Sequence, residues 1–260
     1  MIKGVIFDID NTLTDFMKMK KAAVDAAVEG MMDAGLPGDK EALVKEVFDV
    51  YWKEGIEDQK IFDKILKAKL GRIDYKILAG GILAYRRAKN GTMTLYPRVN
   101  QTLMELMRLG IKRTVISDAP KMEVWLRIVS LGLHHYFDDI ITSEDFGVKK
   151  PDPKPYRKAL EVLGTQPHET LMVGDWPDRD IKGAKGVGIR TAWAKYGDTF
   201  DTKESGAEFE LKDIRELVDI IRSENGTSKP AAKPAAASKG AAPSRPPLLF
   251  FSHRLFRRRS

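Results

Sequence analysis

The segment Gly4-Val5-Ile6-Phe7-Asp8-Ile9-Asp10-Asn11-Thr12 is apolar almost throughout, yet it delivers two aspartates one residue apart. Such a run reads as a strand buried on both faces of a parallel sheet, Lys3 to Ile9, with Asp8 and Asp10 at its carboxyl end. Side chains along a strand repeat every two residues, so both carboxylates lean to one side. Like charges this close repel, and a counter-ion must stand near them. Open α/β sheets bind their ligands at this end of the strands.

The rest of the chain supplies the partners for that strand. From Tyr96 onward helix and strand patterns alternate. The periodicity predicts a helix from Arg98 to Leu109 stopped at Gly110, a strand from Lys112 to Ser117 and a helix from Lys121 to Leu131 stopped at Gly132. A strand from Asp139 to Thr142, a helix from Pro155 to Leu163, a strand from Thr170 to Gly174, a helix from Pro177 to Lys185 and a strand from Arg190 to Ala194 follow. This alternation predicts an α/β fold, a Rossmann-like parallel sheet with helices on both faces. Between Asp15 and Asn90 the apolar residues instead recur at helical spacing: Met19, Ala22, Ala23, Ala26, Ala27 and Gly30, then Leu43, Val47 and Tyr51, then Ile61, Ile65 and Leu66, then Ile77, Ile82, Leu83 and Tyr85. Four helices are therefore expected to interrupt the α/β unit after its first strand. The expected division is 1–14 and 91–224 for the α/β core, 15–90 for the helical insert and 225–260 for a basic, Pro/Ala-rich tail.

Composition removes whole classes of function. The chain has no cysteine, so disulfide frameworks, thiolate nucleophiles and cysteine zinc sites are excluded. No leader pattern opens it and no apolar stretch reaches spanning length, which predicts a cytoplasmic protein without a membrane span. The net charge of +7 suggests nucleic-acid binding until it is placed. Gly226 to Ser260 hold eight basic residues and no acids, leaving 36 basic against 37 acidic before them. The body is balanced, so no nucleic-acid partner is expected for it. The tail reads as disordered or appended by cloning. Its Leu248-Leu249-Phe250-Phe251 run beside Arg254 and Arg257 to Arg259 leaves contact with an anionic surface open.

Further polar groups fall where strands end. Ser117 and Asp118 close Thr114-Val115-Ile116, Lys149 and Lys150 precede Pro151-Asp152-Pro153, and Asp175 closes Met172-Val173-Gly174, with Asp178 and Asp180 beyond it. All meet at one edge of the expected sheet. Asp8, Asp10, Asp175 and Asp180 together demand a cation, and oxygen ligands without His or Cys favour Mg²⁺. Beside such an ion one carboxylate can attack a phosphoryl group. A hydroxyl, backbone amides and a lysine can then stabilise the transferred group, parts that fit Ser117, the amides near Asp8 and Asp118, and Lys150. A second carboxylate can protonate the leaving oxygen and then activate water, which fits Asp10.

At this point the chain resembles a known family. Asp8-Ile9-Asp10-Asn11-Thr12, Val115-Ile116-Ser117-Asp118, Lys150-Pro151-Asp152-Pro153 and Gly174-Asp175 with Asp180 are similar to the four ordered motifs of the haloacid dehalogenase-like hydrolase superfamily, over about residues 1 to 222. The resemblance implies its branch of phosphoglycolate phosphatase-like and beta-phosphoglucomutase-like proteins. It further implies Asp8 as nucleophile, Asp10 as general acid/base, and Ser117, Asp118 and Lys150 around the phosphoryl group. Asp8, the main-chain carbonyl of Asp10 and Asp175 would hold Mg²⁺, with Asp180 close by. The helical insert then stands where the superfamily places a C1-type cap. Dehalogenases lack the second aspartate, so Asp10 points to phosphate esters.

The resemblance therefore predicts a phosphatase of small phosphorylated metabolites, such as phosphoglycolate, triose phosphates or hexose phosphates. A phosphosugar mutase of the same fold and a non-catalytic binding protein tethered by its tail are the alternatives. Individually the motifs are weak: Asp-x-Asp also ends ordinary strands, Ser117 alone would be a turn residue, and Lys150 alone would be surface. Lys149 reads as a solvated neighbour, Asp178 as a first-turn acid, and His134 and His135 as structural. Trp176 is a candidate for the substrate entrance. Phe16, Lys18, Lys20, Lys21, Trp52 and Glu54 are candidate cap contacts, although helix faces like theirs are more often core or solvated.

Overall fold

A computed structural model of the protein describes residues 1–226. Among them, strands β1 (Gly4–Phe7), β2 (Lys112–Ser117), β3 (Asp139–Thr142), β4 (Thr170–Gly174), β5 (Arg190–Ala194) and β6 (Phe209–Leu211) form a parallel sheet in the order β3-β2-β1-β4-β5-β6. The helices are α1 (Phe16–Asp33), α2 (Lys40–Glu54), α3 (Ile61–Leu70), α4 (Tyr75–Thr92), α5 (Val99–Arg108), α6 (Lys121–Ser130), α7 (Pro153–Leu163), α8 (Lys182–Gly186) and α9 (Glu216–Glu224). The strand order reverses between β1 and β4, which opens a crevice at their carboxyl ends.

Alternate residues of strands β1 to β4 feed two cores. Val5, Phe7, Val115, Leu171 and Val173 belong to one apolar cluster, while Ile6, Ile116 and Met172 belong to another with Tyr156 and Ala184. Both faces of the sheet are thus covered, as the continuous apolar runs require. Each fully buried aliphatic side chain there contributes about 1.5–3 kcal/mol.

Strands β2 to β5 match their expected bounds residue for residue. The first strand is shorter than expected, because the chain leaves the ladder at Asp8 and coils back: the amides of Thr12, Leu13 and Thr14 all donate to the Ile9 carbonyl. Asn11 takes a positive φ of 58° to make that turn. Helix α7 begins two residues early because Asp152 caps it and Pro153 needs no donor at the first position. The segment Pro177–Ile181 opens as a wide helical turn with π geometry before α8, and not as one regular helix from Pro177 to Lys185. The three-residue edge strand β6 and helix α9, which buries Leu217, Val218 and Ile221 on one face, were not expected.

The insert is four helices with their own apolar cluster, including Val24, Val28, Met31, Leu43, Val47, Ile65 and Leu66. Helices α1 and α4 approach at Gly30 and Gly80, where a Cβ on Gly80 would stand 2.5 Å from the Gly30 carbonyl oxygen. The two linkers to the core are stitched together: the Asp15 amide donates to Thr94 O at 3.2 Å and the Tyr96 amide to Leu13 O at 2.9 Å. The last helix ends at Thr92, two residues beyond the expected limit. At the other terminus, Asn225 accepts from the Ile2 amide at 2.6 Å and donates to Ile2 O at 2.8 Å. The chain is therefore still tied down where the tail was expected to start. The remainder of that expected tail, with its apolar and arginine-rich end, lies outside the described residues.

Candidate active site

Strand register brings the motifs together. Phe7 stands level with Val115 on one side and Val173 on the other, and the Asp8 amide donates to Val173 O at 2.9 Å. Asp8 therefore emerges beside Ser117 of β2 and Asp175 of β4, at the crevice where the strand order reverses. Two contacts fix the β4 end. The Asp175 carbonyl accepts from Trp193 Nε1 at 2.8 Å, and the Asp175 carboxylate from Thr12 Oγ1 at 3.4 Å. The π turn lets Asp180 fold back so that its Oδ2 accepts from the Trp176 amide at 3.1 Å. Wide turns of this kind recur at functional sites. Gly174 is required beneath it, since a Cβ there would meet the Asp180 carboxyl carbon at 2.3 Å.

Lys150 reaches this cluster from the loop before α7. Its Nζ donates to Asp8 Oδ1 at 2.5 Å, Asp180 Oδ1 at 2.7 Å and Ile116 O at 3.3 Å. Asp118 holds the loop in place, its Oδ1 accepting from the Lys150 amide at 2.9 Å and its Oδ2 from Arg179 Nη1 at 3.2 Å. Ser117 is buried, with its Oγ accepting from the Ala119 amide at 3.2 Å. Asp8, Ser117, Asp118, Lys150, Asp175 and Asp180 thus stand together at the sheet edge.

The electrostatics follow from burial. Loss of water pushes the Asp8 carboxyl up to about 7, with Lys150 pulling against it and Asp180 and Asp10 adding to it. Burial likewise raises Asp175 well above the usual carboxylate range, and Asp8 and Asp180 add to the rise. Burial disfavours the Lys150 ammonium, but Asp180 and Asp8 outweigh it and its pKa stands well above the ordinary value. One ammonium does not balance three carboxylates. Asp8, Asp175 and Asp180 are buried and offer ligand oxygens within 4.8 Å of one another, a group that can hold a metal ion. This all-oxygen set fits a hard divalent cation, which would lower the raised carboxyls. The carboxylate of Asp10 is not part of that group; the resemblance assigns the Asp10 contact to its main-chain carbonyl.

The Asp10 carboxylate turns to residues that the sequence reading did not anticipate. Its Oδ2 accepts from Arg127 Nη1 of α6 at 2.9 Å, and Arg127 Nη2 pairs with Glu57 of the insert. Burial raises Asp10 to about 6, Arg127 opposes this and Glu57 adds to it. No local pattern marks such a set, because its members come from a loop after β1, a core helix and an insert loop.

A cavity of about 480 Å³ lies over these groups, lined by Asp8, Asp10, Ser117, Asp118, Lys150, Asp175 and Asp180 from the core. Phe16, Trp52, Glu54 and the 55–58 loop line it from the insert, so three of the candidate contacts are in place, and Trp176 also lines it. Lys18 and Lys21 point to solvent. Lys20 does not line the cavity: it is buried, 4.2 Å from the centre of the Tyr51 ring, with its Nζ bonded to the Tyr85 hydroxyl at 3.1 Å. Lys149 is exposed at the rim, Asp178 is exposed away from the cavity, and His134 and His135 are exposed with their rings 3.9 Å apart. No helix among the described residues is long and apolar enough to cross a membrane.

Comparison with known proteins agrees with this geometry. Residues 2–188 match the family model for haloacid dehalogenase-like hydrolases. A glyceraldehyde 3-phosphate phosphatase of Methanocaldococcus jannaschii is 38% identical over 85% of this chain and 98% of its own length. A protein of the same name from Methanopyrus kandleri is 34% identical over 85% and 98%. Among solved structures, a HAD phosphatase from Thermococcus onnurineus superposes with a TM-score of 0.66 at 26% identity, covering 85% of this chain and 98% of that one. A parallel sheet that presents buried Asp8, Lys150, Asp175 and Asp180 at its switch point, in a chain with these relatives, belongs to the haloacid dehalogenase-like hydrolase family, as an enzyme that hydrolyses phosphate monoesters.

Proposed function

We propose that this protein is a Mg²⁺-dependent phosphatase of the cytoplasm that acts on triose phosphates, glyceraldehyde 3-phosphate foremost. The observation that carries the chemistry is the Asp8–Lys150–Asp180 ion cluster beside Asp175, with Asp10 two residues from Asp8 and turned to a different partner. The substrate class rests on relatives of that name, which this chain matches over nearly their whole length, and on a cavity sized for a small metabolite. The helical insert acts as a cap, keeping bulk water from the site while substrate is bound.

In this reading a carboxylate oxygen of Asp8 attacks phosphorus, the ester bond breaks, and the leaving oxygen takes a proton from Asp10. Lys150 and Ser117 hold the phosphoryl oxygens as charge spreads over them. Water then attacks the aspartyl-phosphate, Asp10 takes its proton, and phosphate is released. Held by Asp8, Asp175, Asp180 and the Asp10 carbonyl, Mg²⁺ would offset the negative charge of nucleophile and phosphoryl group.

Phosphate release across a panel of phosphorylated metabolites, with Mg²⁺ and with a chelator, tests the proposal. Triose phosphates should lead the panel, the chelator should abolish turnover, and Asp8→Asn should remove activity on every substrate while leaving the thermal midpoint measurable. Full activity of Asp8→Asn would refute the nucleophile. Dependence on a bisphosphate primer without phosphate release would assign the mutase reaction instead.

A further inference from the structure

Helix α6 is joined to the insert by two ion pairs of opposite polarity, one turn apart. Glu123 accepts from Lys89 of α4, and Arg127 donates to Glu57 of the 55–58 loop. Arg127 also holds Asp10, so one guanidinium, only 2% exposed, links the insert to the residue assigned to proton transfer. The Phe16 ring packs 4.9 Å from it and limits where it can swing. A planar guanidinium suits this task because its donors leave in fixed directions.

The unpaired atoms bear on what this arrangement does. Asp10 Oδ2 is taken by Arg127, while Asp10 Oδ1 is buried with no hydrogen-bond partner among the described residues. Arg127 Nε is unpartnered as well, and because each such buried atom costs about 1–3 kcal/mol, a partner arriving with substrate at Oδ1 would offset part of that cost. One oxygen anchored and one free is the arrangement a proton-transferring carboxylate needs.

We propose that Arg127 is a positioning residue for proton transfer: it grips Asp10 by Oδ2 so that Oδ1 meets the leaving oxygen, and Glu57 completes the grip only when the insert is seated over the site. The inference rests on the phosphatase reading above. In the step concerned, a bond forms between phosphorus and an Asp8 oxygen, the ester P–O bond breaks, and its electron pair stays on the leaving oxygen as that oxygen takes the Asp10 proton. Seating of the insert and alignment of the acid are then one event.

Leaving-group dependence separates this role from a structural one. An alkoxide leaving from a triose phosphate needs the proton, whereas the phenolate leaving from 4-nitrophenyl phosphate does not. In Arg127→Gln, kcat/KM should fall about a hundredfold for the best alkyl phosphate of the panel and less than about tenfold for 4-nitrophenyl phosphate. Glu57→Gln, at a partly buried loop position, should show the same bias at smaller size, and the double variant should be no worse than Arg127→Gln alone. Equal losses on the two substrates, or losses that multiply in the double variant, would overturn the proposal. If Arg127→Gln does not fold, Glu57→Gln alone decides, since equal losses there refute the coupling. Activity surviving in Asp8→Asn would instead refute the phosphatase reading, which keeps the two failures distinct.

Discussion

The strand ends and the helical insert face the same cavity on opposite terms. Asp8, Ser117, Lys150, Asp175 and Asp180 are buried, placed by strand ends, the loop before α7 and the π turn, and each has a bonded partner inside the core. The insert contributes Trp52, which is 55% exposed, and a loop that starts at Gly55 with a φ of 115°, from which Glu57 pairs with Arg127 of the core. Glu54 and Asp58 of that wall share Lys64 within the insert. In the proposed reading the chemistry is thus carried by the core, while the wall that would meet the variable end of a substrate comes from the insert.

Four experiments would break or sharpen that contrast. The largest effect belongs to Lys150→Met, which removes the cation between Asp8 and Asp180. It should lower kcat by about 10²–10³ for every substrate and cost about 3–5 kcal/mol by leaving buried carboxylates unpaired. Urea unfolding and steady-state kinetics would check it, and a loss confined to one substrate would contradict the division of labour.

Gly197→Ala should come next. A Cβ there would stand 1.6 Å from the Asn11 carbonyl oxygen, so the turn carrying Asp10 must shift; about tenfold or more in kcat should be lost on all substrates, with the thermal midpoint reduced.

The third test uses pH. Asp8 and Asp10 bind protons more tightly folded than unfolded, with folded values of about 7 and about 6 against an ordinary 3.8. In that window the native state holds more protons than the unfolded chain, so the stability of metal-free protein should fall as pH rises from about 5 to 7. Saturating Mg²⁺ should flatten the fall by favouring the carboxylates. Thermal midpoints measured with chelator and with Mg²⁺ would decide it, and equal slopes would argue against a metal on these residues.

On the insert side, Trp52→Ala should leave stability within about 1 kcal/mol and change KM and substrate ranking by up to about tenfold with little change in kcat. A large uniform loss of kcat would place Trp52 with the chemistry and erase the contrast.

The same contrast explains what could be read in advance. Asp8, Ser117 and Asp175 each follow an apolar run, and a run of that kind predicts both the strand and its place in the sheet. Lys150 was legible through the proline beside it. Arg127 and Glu57 were not, because each sits in an ordinary helical or loop context and gains meaning only from Asp10, far away in sequence. Lys20 shows the same limit: a lysine on a helix reads as solvated, yet here Tyr51 and Tyr85 enclose it and burial pulls its ammonium down to about 8. The π turn after Asp175 was hidden as well, since the need to fold Asp180 back onto Lys150 is a tertiary demand on a helical sequence.

The stitched linkers carry one more consequence. Because the Asp15 amide bonds Thr94 O and the Tyr96 amide bonds Leu13 O, the chain leaves and rejoins the core at a single point. The insert is a closed parenthesis in the polypeptide. Another helical module, or a short turn, could be grafted between those two linkers without moving the register that sets Asp8 against Val173, so in the proposed reading selectivity is exchangeable as a unit while the reaction stays behind.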